Sequence, residues 1–224
     1  MTHADRIVAI LQRAGVRRLF GMPGGGSNAD LIEAAGRAGM PFSLAHTETA
    51  AAFMALALGG PAGIDRVHIE TYGPGYEIVK EMNPRSPYQA KFSIAYCVAA
   101  ALAEGRVGLD QFSTDRFGPE GVRVGAIADL LRRTRVTMED DLTAKYPAAW
   151  PARLNVTLAD GTVLRGASDF PRGNPENPVS TPELEDKFLS LVASRFGPDT
   201  ARRALEAVHA VDRAGDMAEV FRNL

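Results

Sequence analysis

Gly59-Gly60-Pro61-Ala62-Gly63-Ile64-Asp65-Arg66-Val67-His68-Ile69-Glu70-Thr71-Tyr72 carries two signals back to back. Three glycines and a proline within five residues stop any helix. Directly after them Ile, Val and Ile alternate with Asp, Arg, His and Glu, the two-residue period of a strand with one face buried. The chain thus divides near residue 60, and a strand opens its second part.

Upstream, Ile7, Ile10, Leu11 and Ala14 recur at helical spacing before Gly15, predicting a helix over 3–14 with a glycine at its C-cap. Val16–Phe20 reads as a short strand, Gly21–Ser27 as a glycine-dense turn, 28–37 as a helix, Phe42–Leu44 as a strand and 47–58 as a helix. Residues 1–60 are expected to form the α/β, βαβα start of a parallel sheet. The turn has two readings, a cradle of backbone N–H groups for a phosphate or a plain tight turn. Its order lacks both Gly-x-Gly-x-x-Gly and a following Lys-Ser/Thr.

Downstream, Ser86 and Pro87 stand as N-cap and first helical residue of a long helix, Tyr88–Glu104, which Gly105 ends. A second helix is expected over Phe117–Arg133, then strands at 136–139, 152–159 and 162–168, the last two closing a hairpin across Asp160-Gly161. After a proline-rich loop, 171–178, Ser180 and Glu183 offer a capping box for a helix whose apolar face is Leu184, Phe188, Leu191 and Val192. A helix over 199–209 and another over 216–221 complete the chain. This order predicts an α+β domain with an antiparallel sheet over residues 64–224.

With 46% hydrophobic residues the chain supplies a core, and global disorder is excluded. Interspersed charges at a net of −2 leave no basic stripe for nucleic acid. One cysteine, Cys97, excludes an internal disulfide framework and gives no metal-ligand spacing. No stretch approaches the roughly 18 apolar residues of a membrane span, and the N-terminus lacks the marks of a signal peptide. The expected setting is soluble, reduced and cytoplasmic, with a composition in keeping with a GC-rich bacterial source.

Phe20-Gly-Met-Pro-Gly-Gly-Gly26 after a first strand, with His46-Thr47-Glu48 about two dozen residues on, resembles the start of the pyrimidine-binding domain of thiamine-diphosphate enzymes. The resemblance implies that Glu48 contacts N1' of the aminopyrimidine and favours the tautomer that deprotonates the thiazolium carbon. The residue-level alternative is a first-turn glutamate complementing a helix dipole. That family's Gly-Asp-Gly and Asn-Asn magnesium segment does not occur in these residues, so thiamine diphosphate would need magnesium from a partner domain.

Lys91-Phe-Ser-Ile-Ala-Tyr96-Cys-Val-Ala-Ala-Ala-Leu102 before Gly105, then Phe170-Pro-Arg172-Gly-Asn-Pro-Glu-Asn-Pro-Val-Ser180 and Lys187-Phe188, resembles the C-terminal lid domain of the MmgE/PrpD family of 2-methylcitrate dehydratases and cis-aconitate decarboxylases. The resemblance implies dehydration or decarboxylation of small di- or tricarboxylates with no cofactor. By the same resemblance Tyr96 is the candidate hydroxyl donor, Lys91 and Arg172 are candidate carboxylate-binding cations, and His46 is a candidate general base. Plainer alternatives stand beside each: a core tyrosine, a solvated lysine, a turn arginine, and surface or helix-end positions for all four histidines. The family's large helical domain has no counterpart here, so the chain is expected to be weakly active or inactive alone. The crossover between the two resemblances falls between residues 57 and 75. Three readings are open: a lyase-type protein, a thiamine-diphosphate subunit awaiting a partner, or a non-catalytic fusion. Apolar surface left by missing domains predicts a homo-oligomer.

Overall fold

The computed structural model describes residues 2–13, 19–21, 33–40, 42–44, 63–213, 215, 216 and 218. Near the N-terminus α1 (His3–Arg13) buries Ala4 and Val8 with Ala34, Ala35 and Met40. Strand β1 (Leu19–Gly21) pairs in parallel with β2 (Phe42–Leu44), Leu19 opposite Phe42, as a βαβ start requires. The expected helix over 47–58, the glycine turn beyond Gly21 and the boundary near residue 60 lie outside the described residues. The chain divides into two compact units, Met1–Asp169 and Phe170–Leu224.

In the first unit β3 (Ile64–Thr71) follows the alternation of its sequence, with Ile64, Val67, Ile69 and Thr71 buried. A short helix, α2 (Gly73–Val79), leads to α3 (Pro87–Lys91) and α4 (Ile94–Glu104). These last two replace the single helix expected over 88–104. The break falls at Ser93, which is buried: its Oγ accepts the Tyr96 N–H at 3.0 Å and donates to the Glu81 carbonyl at 2.5 Å. A side chain that caps a new helix satisfies that helix's first amides and thereby ends the previous one.

The helix expected over 117–133 is also shorter. Phe117–Gly118 (β4) and Gly121–Val122 (β5) form a tight hairpin instead, and only α5 (Gly125–Arg132) is helical. Gly121 takes φ +114°, a conformation that a side chain disfavours and that a helix cannot contain.

Three more strands complete the main sheet: β6 (Thr134–Met138), then, past the single turn α6 (Asp140–Thr143), β7 (Ala152–Leu158) and β8 (Val163–Ser168). The order is β6-β3-β7-β8. The expected antiparallel sheet is therefore a mixed one, because β6 runs parallel to β3 while β7 and β8 run antiparallel to their neighbours. The helices between β3 and β6 carry the chain back to the start of the sheet, which is what a parallel pair needs. Helices α4 and α5 cover one face, enclosing Tyr96, Ala99, Leu102, Ile127 and Leu130 against Val67, Ile69 and Val156. The β7–β8 hairpin turns at Asp160-Gly161 as expected, with Gly161 at φ +86°.

In the second unit α7 (Thr181–Phe196) and α8 (Pro198–His209) pack on each other. Ser180 donates from its N–H and its hydroxyl to the Glu183 carboxylate, at 2.8 and 2.6 Å, as its capping-box spacing predicts. On the expected apolar face Leu184 and Leu191 are exposed and Phe188 and Val192 half-buried. Among the described residues no helix is long and apolar enough to cross a membrane.

Candidate functional site

The face of the main sheet opposite α4 and α5 carries a group of interacting polar side chains. It follows from β3 itself: if Val67 and Ile69 point into the core, the pleat turns His68 and Glu70 the other way. Register then assembles two rows. His68 stands opposite Arg135 on β6 and Asn155 on β7, and Asn155 opposite Arg165 on β8. Glu70 stands opposite Thr137 and Arg153.

The second row is tightly bonded. Arg153 lies with Nε 2.8 Å from Glu70 Oε2 and NH2 2.6 and 2.7 Å from the two oxygens of Asp141. The Nε contact is close but out of line for a hydrogen bond, so it is an ionic contact. His68 Nε2 is 2.8 Å from Thr137 Oγ1, which donates to Glu139 Oε1 at 2.7 Å, and His68 Nδ1 is 3.7 Å from Glu70 Oε1. Arg66, Arg135 and Arg165 on the same face are exposed, with no acidic partner among the described residues. Neither Tyr96 nor Lys91, nominated from the sequence, lies in this group. His68, grouped there with surface or helix-end histidines, sits mid-strand and half-buried. The alternation of 64–72 places it and Glu70 on one face, but Thr137, Glu139 and Arg153 join them only through strand pairing.

Tyr96 and Lys91 fall elsewhere. Tyr96 is wholly buried between Phe112 and Phe117, with ring centroids 5.8 and 5.3 Å away, and its hydroxyl donates to the Gln111 carbonyl. Burial pushes its phenol pKa up. Close by, Glu104 accepts from Arg116 NH1 and Gln111 Nε2, both at 2.6 Å. The Arg116 hydrogen bond holds the Glu104 carboxyl below the usual range. Lys91 is exposed in the last turn of α3. Arg172, in the second unit, pairs with Glu183 and donates to Asn177 Oδ1 at 3.0 Å, so its charge supports the start of α7. His46 and Glu48 lie outside the described residues. An open pocket of about 350 Å³ is lined by Met82, Asn83, Val122 and Leu131, with neither Tyr96 nor Lys91 among its described lining residues.

The family model of the MmgE/PrpD C-terminal domain matches residues 42–213. The chain belongs to the MmgE/PrpD family. The model of the thiamine pyrophosphate enzyme N-terminal TPP-binding domain matches residues 1–77, so the two matches share β2 and β3. Three curated relatives agree with the first match. Cis-aconitate decarboxylase of Mus musculus is 23% identical over 151 residues, 67% of this chain and 30% of that protein. Its Homo sapiens counterpart is 24% identical over 135 residues, 60% of this chain and 27% of the relative. The cis-aconitate decarboxylase-like protein oryM of Aspergillus oryzae is 24% identical over 141 residues, 63% and 28%. The MmgE/PrpD chain thus spans less than a third of the length of each of these relatives.

Proposed function

We propose that this MmgE/PrpD chain serves in a lyase acting on small di- or tricarboxylates, by loss of water or carbon dioxide, and that turnover needs catalytic groups beyond the matched span. The family match over residues 42–213 carries this reading. Such chemistry requires cations to hold carboxylates and a positioned acid or base at the reacting carbon. Arg66, Arg135 and Arg165, open on one sheet face, are cations of the required kind, and Lys91 is a further one. Arg172 is engaged by Glu183. Tyr96 has its hydroxyl bound to a backbone carbonyl in the core. His46 remains the proposed base.

Titration of the purified chain with cis-aconitate and 2-methylcitrate, followed by NMR, tests the reading. Saturable shifts at the arginine face with turnover near background are expected. A protein that takes up no small polycarboxylate at millimolar concentration defeats it.

The match over residues 1–77 favours a second reading, a thiamine-diphosphate-binding subunit that needs a magnesium-bearing partner domain. Glu48, the residue this assigns to the aminopyrimidine, lies outside the described residues, so no step is derived through the cofactor. Calorimetry with thiamine diphosphate and Mg²⁺ on wild type and Glu48→Gln separates the readings: uptake lost in the variant supports this one.

A further inference from the structure

We propose that His68, Glu70 and Glu139 form a binding site for one divalent transition-metal ion on the open face of the sheet, using one imidazole nitrogen and two carboxylate oxygens. The three side chains are half-buried, and their ligand atoms all lie within 4.8 Å of one another. A tetrahedral ion with bonds of about 2.0–2.2 Å sets its ligands about 3.3 Å apart, so the three atoms must close in by up to about 1.5 Å. An imidazole with two carboxylates suits Zn²⁺, Co²⁺ or Mn²⁺.

The hydrogen bonding around His68 shows which of its nitrogens is open to a ligand. Thr137 has one hydroxyl proton, and it goes to Glu139 Oε1 at 2.7 Å, because an ionised carboxylate only accepts. The 2.8 Å contact between Thr137 Oγ1 and His68 Nε2 therefore has the imidazole as donor. In the neutral ring the lone pair is then on Nδ1, 3.7 Å from Glu70 Oε1. Nδ1 and Glu70 Oε1 are thus the pair of atoms between which a cation would sit. A ring whose far N–H is donated to a hydroxyl is held in one orientation, as metal-bound histidines commonly are.

Charge agrees in sign. Glu70 and Glu139 are both acidic, and Arg153 lies against Glu70 and Asp141. The two proposed carboxylate ligands favour a cation. Arg153 engages Oε2 of Glu70 and leaves Oε1 toward His68. Arg135, beside His68 across the β3–β6 pair, is exposed to solvent, where its charge is screened.

The proposal does not depend on the carboxylate reading. The test is calorimetry of the chelator-stripped 224-residue protein with Zn²⁺, with the visible spectrum of Co²⁺ as a report on ligand type. One ion per chain at micromolar affinity is expected, weakened about tenfold or more by His68→Gln or Glu139→Gln, each checked for folding by circular dichroism. Asn155→Ala, on the same sheet face but outside the three ligands, should bind within a few-fold of wild type and guards against nonspecific loss. Binding no tighter than millimolar overturns the site, as does uptake undiminished in both ligand variants, which would locate the ion elsewhere.

Discussion

Removing one oxygen from Tyr96 isolates what that residue does. Its hydroxyl is bonded to a backbone carbonyl in the core, so Tyr96→Phe leaves the Gln111 carbonyl without its partner. A loss of about 1–2 kcal/mol in urea denaturation is expected, with the ring contacts to Phe112 and Phe117 kept. Stability unchanged by the substitution would make Tyr96 a free hydroxyl donor again. Glu104 gives a pH dependence of known sign. Its carboxyl pKa is depressed in the folded state, chiefly by the Arg116 hydrogen bond. The stabilisation is present above the ordinary glutamate range and is lost as pH falls through that range and below it. Acid unfolding curves should show Glu104→Gln with lower stability at neutral pH and a shallower decline in acid. Parallel curves would rule the linkage out.

Ser93 decides whether residues 87–104 form one helix or two. Ser93→Ala removes both the cap on α4 and the bond to the Glu81 carbonyl, and should cost about 1–2 kcal/mol in chemical denaturation. A cost near zero would mean that packing alone breaks the helix. The break was hidden from sequence reading because the apolar run continues across it, and a serine in a helical run announces a cap only when its partners are known. The β7–β8 hairpin was legible, since Asp160-Gly161 sits between alternating segments and the turn is local. The direction of β6 was not legible, because alternation gives a strand's faces but not its neighbour. The same limit applies to the sheet-face cluster. His68 and Glu70 share a face by their spacing alone, whereas Glu139, just past β6, and Arg153, on β7, reach them from some seventy to eighty residues away in sequence. Side chains nominated by resemblance were placed by motif, and a motif does not report burial; Tyr96 shows the difference.

At the scale of the molecule, apolar side chains stand open in both units. Ile78, Tyr88 and Phe92 are 62%, 72% and 41% exposed in the first, and Leu184, Leu191 and Phe196 are 54%, 41% and 63% exposed in the second. Exposed apolar groups of this size mark interfaces when they are contiguous. Light scattering at micromolar concentration is expected to show a dimer or larger assembly, reduced by Tyr88→Ser with Phe92→Ser. A clean monomer would sink that expectation.

The parallel pairing of β3 with β6 also sets a timetable. Residue 71 leaves the ribosome long before residue 134, and at about 5–20 residues per second the wait is several seconds. During that interval the innermost apolar strand of the sheet, Ile64, Val67 and Ile69 included, has neither of its neighbours synthesised. The nascent chain must shelter it or lose it to aggregation. Once β7 and β8 emerge their hairpin closes locally within microseconds, so the long connection between β3 and its partners governs the rate of assembly.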